Sequence, residues 1–228
     1  MDKAQILKEK LYDLGASIVG FADVGQLVHE KYSSLPYAVS IAVRLSDCII
    51  DEIDTKPTYT YFHHYRTVNT LIDQITLRAG LIIQQWGYRY IAVPASQTVN
   101  DTGETYAGIF PHKTAAVAAR LGWIGKSGLL ITYDYGPRVR LGTVLTDMPL
   151  PVSKPEIKDG CKNCNVCKIA CPAMAITGNE WDVTKGREHI FDAHACSQYM
   201  KKNFQHIGRG VVCGICVKVC PKGNKRRV

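Results

Sequence analysis

The sequence predicts an α+β fold in two parts: an α/β sheet domain over residues 1–150 and a small cysteine-rich domain over residues 161–228, joined by a linker at 151–160. Three observations lead there. Segments with helical and strand periodicity alternate through the first 150 residues. The stretch "PLPVSKPEIKDG" (149–160) carries three prolines and no apolar period. Eight of the nine cysteines lie after residue 160.

Taken in chain order, Ile6, Leu7, Leu11 and Leu14 share one face of a first helix, and Gly15 follows as its C-cap. "SIVGFAD" (17–23) and "YAVSIAVRL" (37–45) read as strands, and the unbroken apolar run of the second predicts burial on both faces. From about Tyr61 to Trp86, the residues Val68, Leu71, Ile72, Ile75, Ala79, Ile82 and Trp86 recur at intervals of three and four. That pattern is a long amphipathic helix, which Gly87 stops. "YRYIAVPA" (88–95) predicts a third strand, and "HKTAAVAARLG" (112–122) a short Ala-rich helix able to pack closely. "WIGKSGLLITYDYGPRVRLGTVLTDMPL" (123–150) reads as strand, Gly-Pro turn, strand. Cys48, alone on an apolar segment, is expected to be a small buried hydrophobe.

With 228 residues, 46% of them hydrophobic, the chain can bury a real core, which excludes general disorder. The opening "MDKAQILKEKLYDLG" has neither the apolar core of a secretory signal nor a paired-arginine export motif. No apolar run approaches the roughly 18 residues of a membrane span, so a soluble cytoplasmic protein with no membrane partner is expected. In a reducing compartment clustered thiols serve as metal ligands more often than as disulfides. The net charge of +8 is unevenly placed, because residues 1–160 hold 16 Lys/Arg and 16 Asp/Glu while residues 161–228 hold 12 and 4. A basic segment ordinarily points to an acidic partner such as nucleic acid. A segment whose thiols ionise on binding metal, however, needs positive charge to offset its own thiolates.

Cys161, Cys164, Cys167 and Cys171-Pro172 have the spacing C-x2-C-x2-C-x3-C-P, the run used by two-cluster ferredoxins. Three cysteines at successive intervals of three wrap three corners of a cubane. The fourth, on the next helical turn, is aimed at another cluster, and proline diverts the chain after it. The partner set is Cys213, Cys216 and Cys220-Pro221, one ligand short, and Cys196 in "FDAHACSQYM" makes up the number. Crossing the last cysteine of each run assigns Cys161, Cys164, Cys167 and Cys220 to one [4Fe-4S] cluster and Cys171, Cys196, Cys213 and Cys216 to a second. Zinc also takes Cys-x2-Cys pairs, but it has little use for three cysteines in succession or for two Cys-Pro endings. Each oxidised cubane with its thiolates carries a formal −2, so two lower the segment's charge from +8 to about +4.

"ARLGWIGKSGLLI" (119–131), "LGTVLTDMPL" (141–150), "ACPAMAI" (170–176), "FDAHACSQYM" (191–200) and "CGICVKVCPKGNK" (213–225) together resemble the epoxyqueuosine reductases, relatives of the corrinoid-dependent reductive dehalogenases. "GASIVGFAD", "LPYAVSIAV" and "YTYFHHYRTV" sit in register with the same family over the first hundred residues. The resemblance implies a nitroreductase-like, cobalamin-processing-like α/β domain that binds cobalamin, joined to a ferredoxin-like module with two [4Fe-4S] clusters. One cluster would then reduce the cobalt. It also implies that Gly122, Trp123, Gly125, Lys126, Ser127 and Gly128 lie against the corrin, with Lys126 meeting a propionamide or a substrate anion. Glycine allows such close approach, and tight-turn geometry explains the same glycines equally well. His64, in the His63-His64-Tyr65 element, occupies the place of a family motif near the cofactor.

The chain departs from the epoxyqueuosine reductase pattern where that family carries Asp-Ser/Thr-x-Pro-x-x-Glu-Arg with the aspartate as acid. Counted back without gaps from Leu121-Gly122-Trp123, the corresponding places hold Tyr106, Ile109, His112 and Lys113. Reductive dehalogenases pair a tyrosine with a basic residue, so Tyr106 with His112 or Lys113 is one candidate proton donor. Tyr106 as a pocket wall, with Asp101 as the acid in a shifted register, is the other. The chain also stops short of the family's helical-repeat region, so tRNA is not an expected substrate. The expected function is electron transfer through two clusters to a corrinoid, for reduction of a small substrate or regeneration of cob(I)alamin for a corrinoid-dependent enzyme. A ferredoxin or flavodoxin is the expected donor. The alternative is an electron carrier whose α/β domain binds a protein partner or a flavin and has no pocket of its own.

Overall fold

A computed structural model describes residues 2–97, 99, 106–152, 160–210 and 212–223. Asp101 and linker residues 153–159 lie outside that set. Asp2 caps helix α1 (Lys3–Asp13), its carboxylate accepting the Ala4 N–H, and Leu7 and Leu11 are fully buried. The chain leaves the helix through Gly15 at φ +104°, the left-handed conformation that glycine adopts without penalty. Strands β1 (Ile18–Asp23) and β2 (Tyr37–Arg44) pair antiparallel, Ile18 opposite Ala42 and Asp23 opposite Tyr37. Every residue of β2 from Ala38 to Val43 is buried, as its continuous apolar run predicts.

Helices α2 (Asp47–Asp51) and α3 (Tyr59–Gln85), strand β3 (Tyr90–Val93) and helix α4 (His112–Ala118) follow. Then come strands β4 (Gly122–Ile124), β5 (Leu130–Thr132) and β6 (Val139–Thr146), and helices α5 (Val166–Ala170), α6 (Ala193–Phe204) and α7 (Ile215–Lys218). None of the described helices is long and apolar enough to cross a membrane.

The chain divides into two compact units that interleave along the sequence. One comprises Met1–Arg44, Val68–Leu121 and Arg140–Ile157, the other Leu45–Thr67, Gly122–Val139 and Lys158–Val228. The cysteine-rich segment therefore recruits two stretches from earlier in the chain. In the first unit the sheet has the order β1-β2-β6-β3, with Tyr90 of β3 opposite Thr146 of β6. Ala22, Val24, Leu35, Ala38, Val93, Phe110, Ala115 and Leu145 form a core there. Gly142 lets β6 approach α3, since a Cβ would come within 2.6 Å of Ile72. Arg89 clamps the end of the sheet, its guanidinium 2.7 Å and its backbone N–H 2.8 Å from the Asp147 carboxylate.

Residues 123–150 hold more than the expected strand, turn and strand. β4 and β5 form a small hairpin of their own, Gly122 opposite Thr132. In its turn Gly125 N–H donates to Leu129 O, Gly128 N–H donates to Gly125 O, and Gly128 sits at φ +71°. The reversal falls at Gly125-Lys126-Ser127-Gly128, a polar break between two short apolar runs. Cys48 is a second correction: it is exposed, because the single-turn α2 buries Ile50 instead.

Gly80 of α3 lies beneath the Tyr90 ring, where a Cβ would come within 1.9 Å of Cε2. Gly80→Ala is expected to push Tyr90 off the helix and to destabilise this unit by about 1–3 kcal/mol, read as a lower urea midpoint. An unchanged midpoint would show that the ring packs elsewhere.

Candidate metal centre

The cysteine loops are built from tight local turns. Cys164 N–H donates to Cys161 O at 2.8 Å, with Lys162 between them at φ +44°. Cys167 lies on α5, and Cys171 follows its end, donating to Lys168 O. The second run starts at Gly214, φ +77°, whose carbonyl accepts the N–H groups of Val217 and Lys218 as α7 forms around Cys216. Cys220 closes that run, its carbonyl accepting Gly223 N–H. Cys196 sits in the first turn of α6, which Asp192 caps by accepting Ala195 N–H at 2.8 Å. Behind these loops Phe204 and Ile207 bury against Phe62, Tyr199 and Met200.

Electrostatic neighbours sort the thiols. Burial pushes Cys167 up to about 11, and Cys220, Cys161 and Cys164 add repulsion. Burial likewise takes Cys196 to about 11, with Cys213 and Cys171 as its repelling neighbours. Cys216 is driven up by burial and then by Cys213, Cys196 and Cys171, with Cys167 the one neighbour from the other set. Cys220 is raised by burial and repelled by Cys161 and Cys164, and Cys213 by burial and Cys171. Each thiol with a resolved shift is thus repelled chiefly by cysteines that the spacing assigns to its own four. Among the described residues no three such groups converge as ligands of a single ion. Clusters there would supply the positive charge that lets these thiols ionise.

The β4–β5 hairpin and its flanks cradle the first foursome. A Cβ on Gly125 would lie 2.7 Å from Ile131 and 3.4 Å from Cys161 Sγ. The buried Lys126 ammonium donates to Lys162 O at 2.6 Å, inside the Cys161–Cys164 turn. Gly160 packs on the Trp123 indole, where a Cβ would fall 2.4 Å from Cζ2. Gly136, at φ +55°, admits the Lys222–Gly223 peptide at the end of the Cys220 turn. Gly122 is pressed against Ile131 O and Gly128 against Phe191. The residues expected against a corrin, Gly122, Gly125, Lys126 and Gly128, therefore have partners within their own unit, and Ser127 is buried there. Trp123 is 7% exposed, and its buried Nε1 has no hydrogen-bond partner among the described residues.

The sequence reading missed a brace. Arg138, buried, pairs with Asp47 at 3.0 Å and Asp51 at 2.9 Å on α2. Lys218, between Cys216 and Cys220, also reaches Asp51 at 3.0 Å. The signal was two aspartates one turn apart on a helix, with nothing local to name their partners. Hydrogen bonds from Lys218 and then Arg138 hold the Asp51 carboxyl below its usual range. A depressed carboxylate stabilises above its unfolded value, so the brace is complete at neutral pH and lost only in acid.

The remaining predicted residues are dispersed. His64 Nε2 accepts Ser46 N–H at 3.0 Å, and burial, then His63, depresses its pKa. His112 uses both ring nitrogens. Nε2 lies 3.0 Å from Pro94 O, which can only accept, so Nδ1 accepts from the Thr143 hydroxyl at 2.9 Å. Burial lowers its pKa, favouring a neutral ring that ties the start of α4 to β6. Lys113 is half-buried on α4, and Tyr106 is exposed at φ +62°. Asp101 lies outside the described residues.

Residues 160–223 match the family model of the 4Fe-4S double cluster binding domain. Over 145 residues the chain is 34% identical to the tetrachloroethene reductive dehalogenase of Sulfurospirillum multivorans, covering 60% of this chain and 27% of that one. It is 28% identical to the enzyme of the same name from Dehalobacter restrictus over 208 residues, 84% of this chain and 34% of that one. It is 30% identical to the epoxyqueuosine reductase of Yersinia pestis over 120 residues, 48% and 27%. This chain is a relative of the reductive dehalogenases and the epoxyqueuosine reductases. As such a relative it spans about a third or less of the length of these curated proteins. A catabolic reductive dehalogenase in complex with 3-bromo-4-hydroxybenzoic acid shares its fold, with a TM-score of 0.73 at 20% identity over 96% of this chain and 31% of that one. The epoxyqueuosine reductase of Streptococcus thermophilus does so with a TM-score of 0.63 at 18% identity over 98% and 66%.

Cys196→Ala in anaerobically reconstituted protein is expected to lower bound iron from about eight atoms to about four, removing one cluster and sparing the other. Retention of all the iron, or loss of all of it, would refute the crossed assignment.

Proposed function

We propose that this chain is an iron–sulfur oxidoreductase that passes electrons through two [4Fe-4S] clusters to a bound corrinoid, for reduction of a small substrate or regeneration of a reduced corrinoid. The observation that carries it is the pair of partly buried cysteine runs, the first set against the 122–136 segment. The sheet unit would be the nitroreductase-like, cobalamin-processing-like part of the machine. A corrinoid, when bound, supplies a low-valent cobalt able to attack a carbon–halogen or epoxide carbon. Toward that group the chain offers the buried Trp123 N–H, a donor with no partner among the described residues. A cytoplasmic setting, with an electron donor of the ferredoxin or flavodoxin kind, fits clusters that need a reducing compartment.

Tyr106 is the proposed proton donor, with Lys113 as the cation that steadies its phenolate; such pairing lets a phenol protonate a developing anion. His112 is left to position α4, since both of its nitrogens are engaged. Tyr106→Phe is expected to lower turnover of a halogenated probe such as tetrachloroethene or 3-bromo-4-hydroxybenzoate by about a hundredfold, with corrinoid affinity unchanged. An unaltered rate would leave Tyr106 as pocket wall.

A second reading has its own support. The glycines and Lys126 of the 122–128 segment are all occupied within the cysteine unit, as they would be in a pure electron carrier whose sheet unit takes a protein partner or a flavin. Anaerobic titration with cob(II)alamin, followed by cobalt paramagnetic resonance, separates the two. The first reading predicts tight binding with a change of axial ligation, weakened up to about tenfold by Trp123→Phe. No binding with both clusters intact would establish the carrier.

A further inference from the structure

Lys126 and Arg138 are the two buried cations among the described residues, 7% and 3% exposed. Arg138 is neutralised by Asp47 and Asp51, which its guanidinium meets at 3.0 Å and 2.9 Å. Lys126 has no carboxylate partner among the described residues, and its ammonium donates to the neutral Lys162 O at 2.6 Å. A buried charge held by one neutral acceptor is unfavourable unless an opposite charge lies beside it. The surroundings identify that charge. Lys162 lies in the turn closed by Cys164 N–H on Cys161 O, and a Cβ on the preceding Gly125 would fall 3.4 Å from Cys161 Sγ. The ammonium thus enters the loop that wraps the first cluster. A [4Fe-4S] cluster with its four thiolates is anionic when oxidised and gains one further negative charge on reduction.

The second foursome has a neighbour of the opposite sign. Asp192 caps α6 with its carboxylate on Ala195 N–H, and its carbonyl accepts Cys196 N–H at 3.2 Å. That carboxylate is one of the charges that disfavour the Cys196 thiolate, and it offsets the positive end of the helix. Lys218, between Cys216 and Cys220, is already paired with Asp51 at 3.0 Å. The exposed Lys162, Lys201 and Lys202 act through water and its ions, which screen them. Lys126 acts through protein of low dielectric, where the same charge is felt more strongly. A fixed cation beside one cluster and an anion beside the other make their electron affinities unequal.

We infer that the buried Lys126 ammonium raises the reduction potential of the cluster held by Cys161, Cys164, Cys167 and Cys220, making it the more easily reduced of the two. The inference rests on the two-cluster reading above and gives that reading a direction. An electron taken up by the cysteine unit comes to rest on the cluster set against the 122–136 segment before it leaves. The step balances as a single-electron exchange: the donor, of the ferredoxin or flavodoxin kind, loses one electron, the cluster gains it, and no bond is made or broken.

The test is an anaerobic potentiometric titration of the reconstituted full chain with dithionite, followed by paramagnetic resonance and paired with iron analysis. Lys126→Gln keeps an N–H for Lys162 O and removes the charge. It is expected to lower the more positive of the two midpoints by about 59 mV or more, a tenfold change in a one-electron equilibrium, and to leave the other in place. Lys126→Arg keeps the charge and is expected to restore most of the shift, which a merely structural tie would not require. The order of the clusters is read separately in Cys196→Ala, which retains the Cys161 cluster, and Cys164→Ala, which retains the other. The cluster of Cys196→Ala is expected to have the more positive midpoint, and this ordering decides the matter if Lys126→Gln fails to hold its iron. Unmoved midpoints in a fully loaded Lys126→Gln, equal shifts of both clusters, or the reverse order in the single-cluster variants would overturn the role of Lys126 and leave the two-cluster reading standing. Absence of any reducible cluster in the unaltered chain would remove that reading and the inference with it.

Discussion

Repulsion among partly buried cysteines is the constraint on which the cysteine unit depends. Their thiols lie in two fours in a desolvated interior that, for those with a resolved shift, pushes the pKa up. For those thiols burial disfavours the thiolate unless positive charge compensates it. Metal–sulfur clusters remove that conflict by replacing protons with iron, so binding them is coupled to ordering the loops. Cys167 also repels Cys216, a neighbour from the other assigned set.

The rest of the unit makes that arrangement rigid. Glycines at 125, 136 and 160 bring the β4–β5 region against both ends of the first foursome, where a side chain would collide with Ile131, with the Lys222–Gly223 backbone or with Trp123. Lys126 closes the Cys161–Cys164 turn from inside, and Lys218 and Arg138 tie α7 to α2 through Asp51. Removing one member of such a network strands a buried charge, which is why paired sets of this kind are costly to break singly.

What could be read from sequence was whatever is encoded locally. Ligand spacing is a local property, so a double 4Fe-4S cluster domain was legible, as were the long period of α3 and the unbroken apolar run of β2. The β4–β5 hairpin was only half legible, because Gly125-Lys126-Ser127-Gly128 read equally well as a tight turn and as a loop laid against a corrin. A lysine in a Gly-rich loop carries no sign of where its ammonium goes, and Lys126 proved to serve the cluster turn. The Arg138 brace joins residues 87 and 91 positions apart, a distance at which charge pattern is silent. His112 was read as an acid–base partner from its register alone, and only the fold shows Pro94 and Thr143 holding both of its nitrogens.

The central claim is that these thiols hold two iron–sulfur cubanes. Metal and acid-labile sulfide analysis of the anaerobically reconstituted chain, with paramagnetic resonance of the reduced protein, tests it most directly. The account predicts about eight irons and eight sulfides per chain and the broadened spectrum of two interacting clusters. About two zinc ions per chain with no sulfide would contradict it.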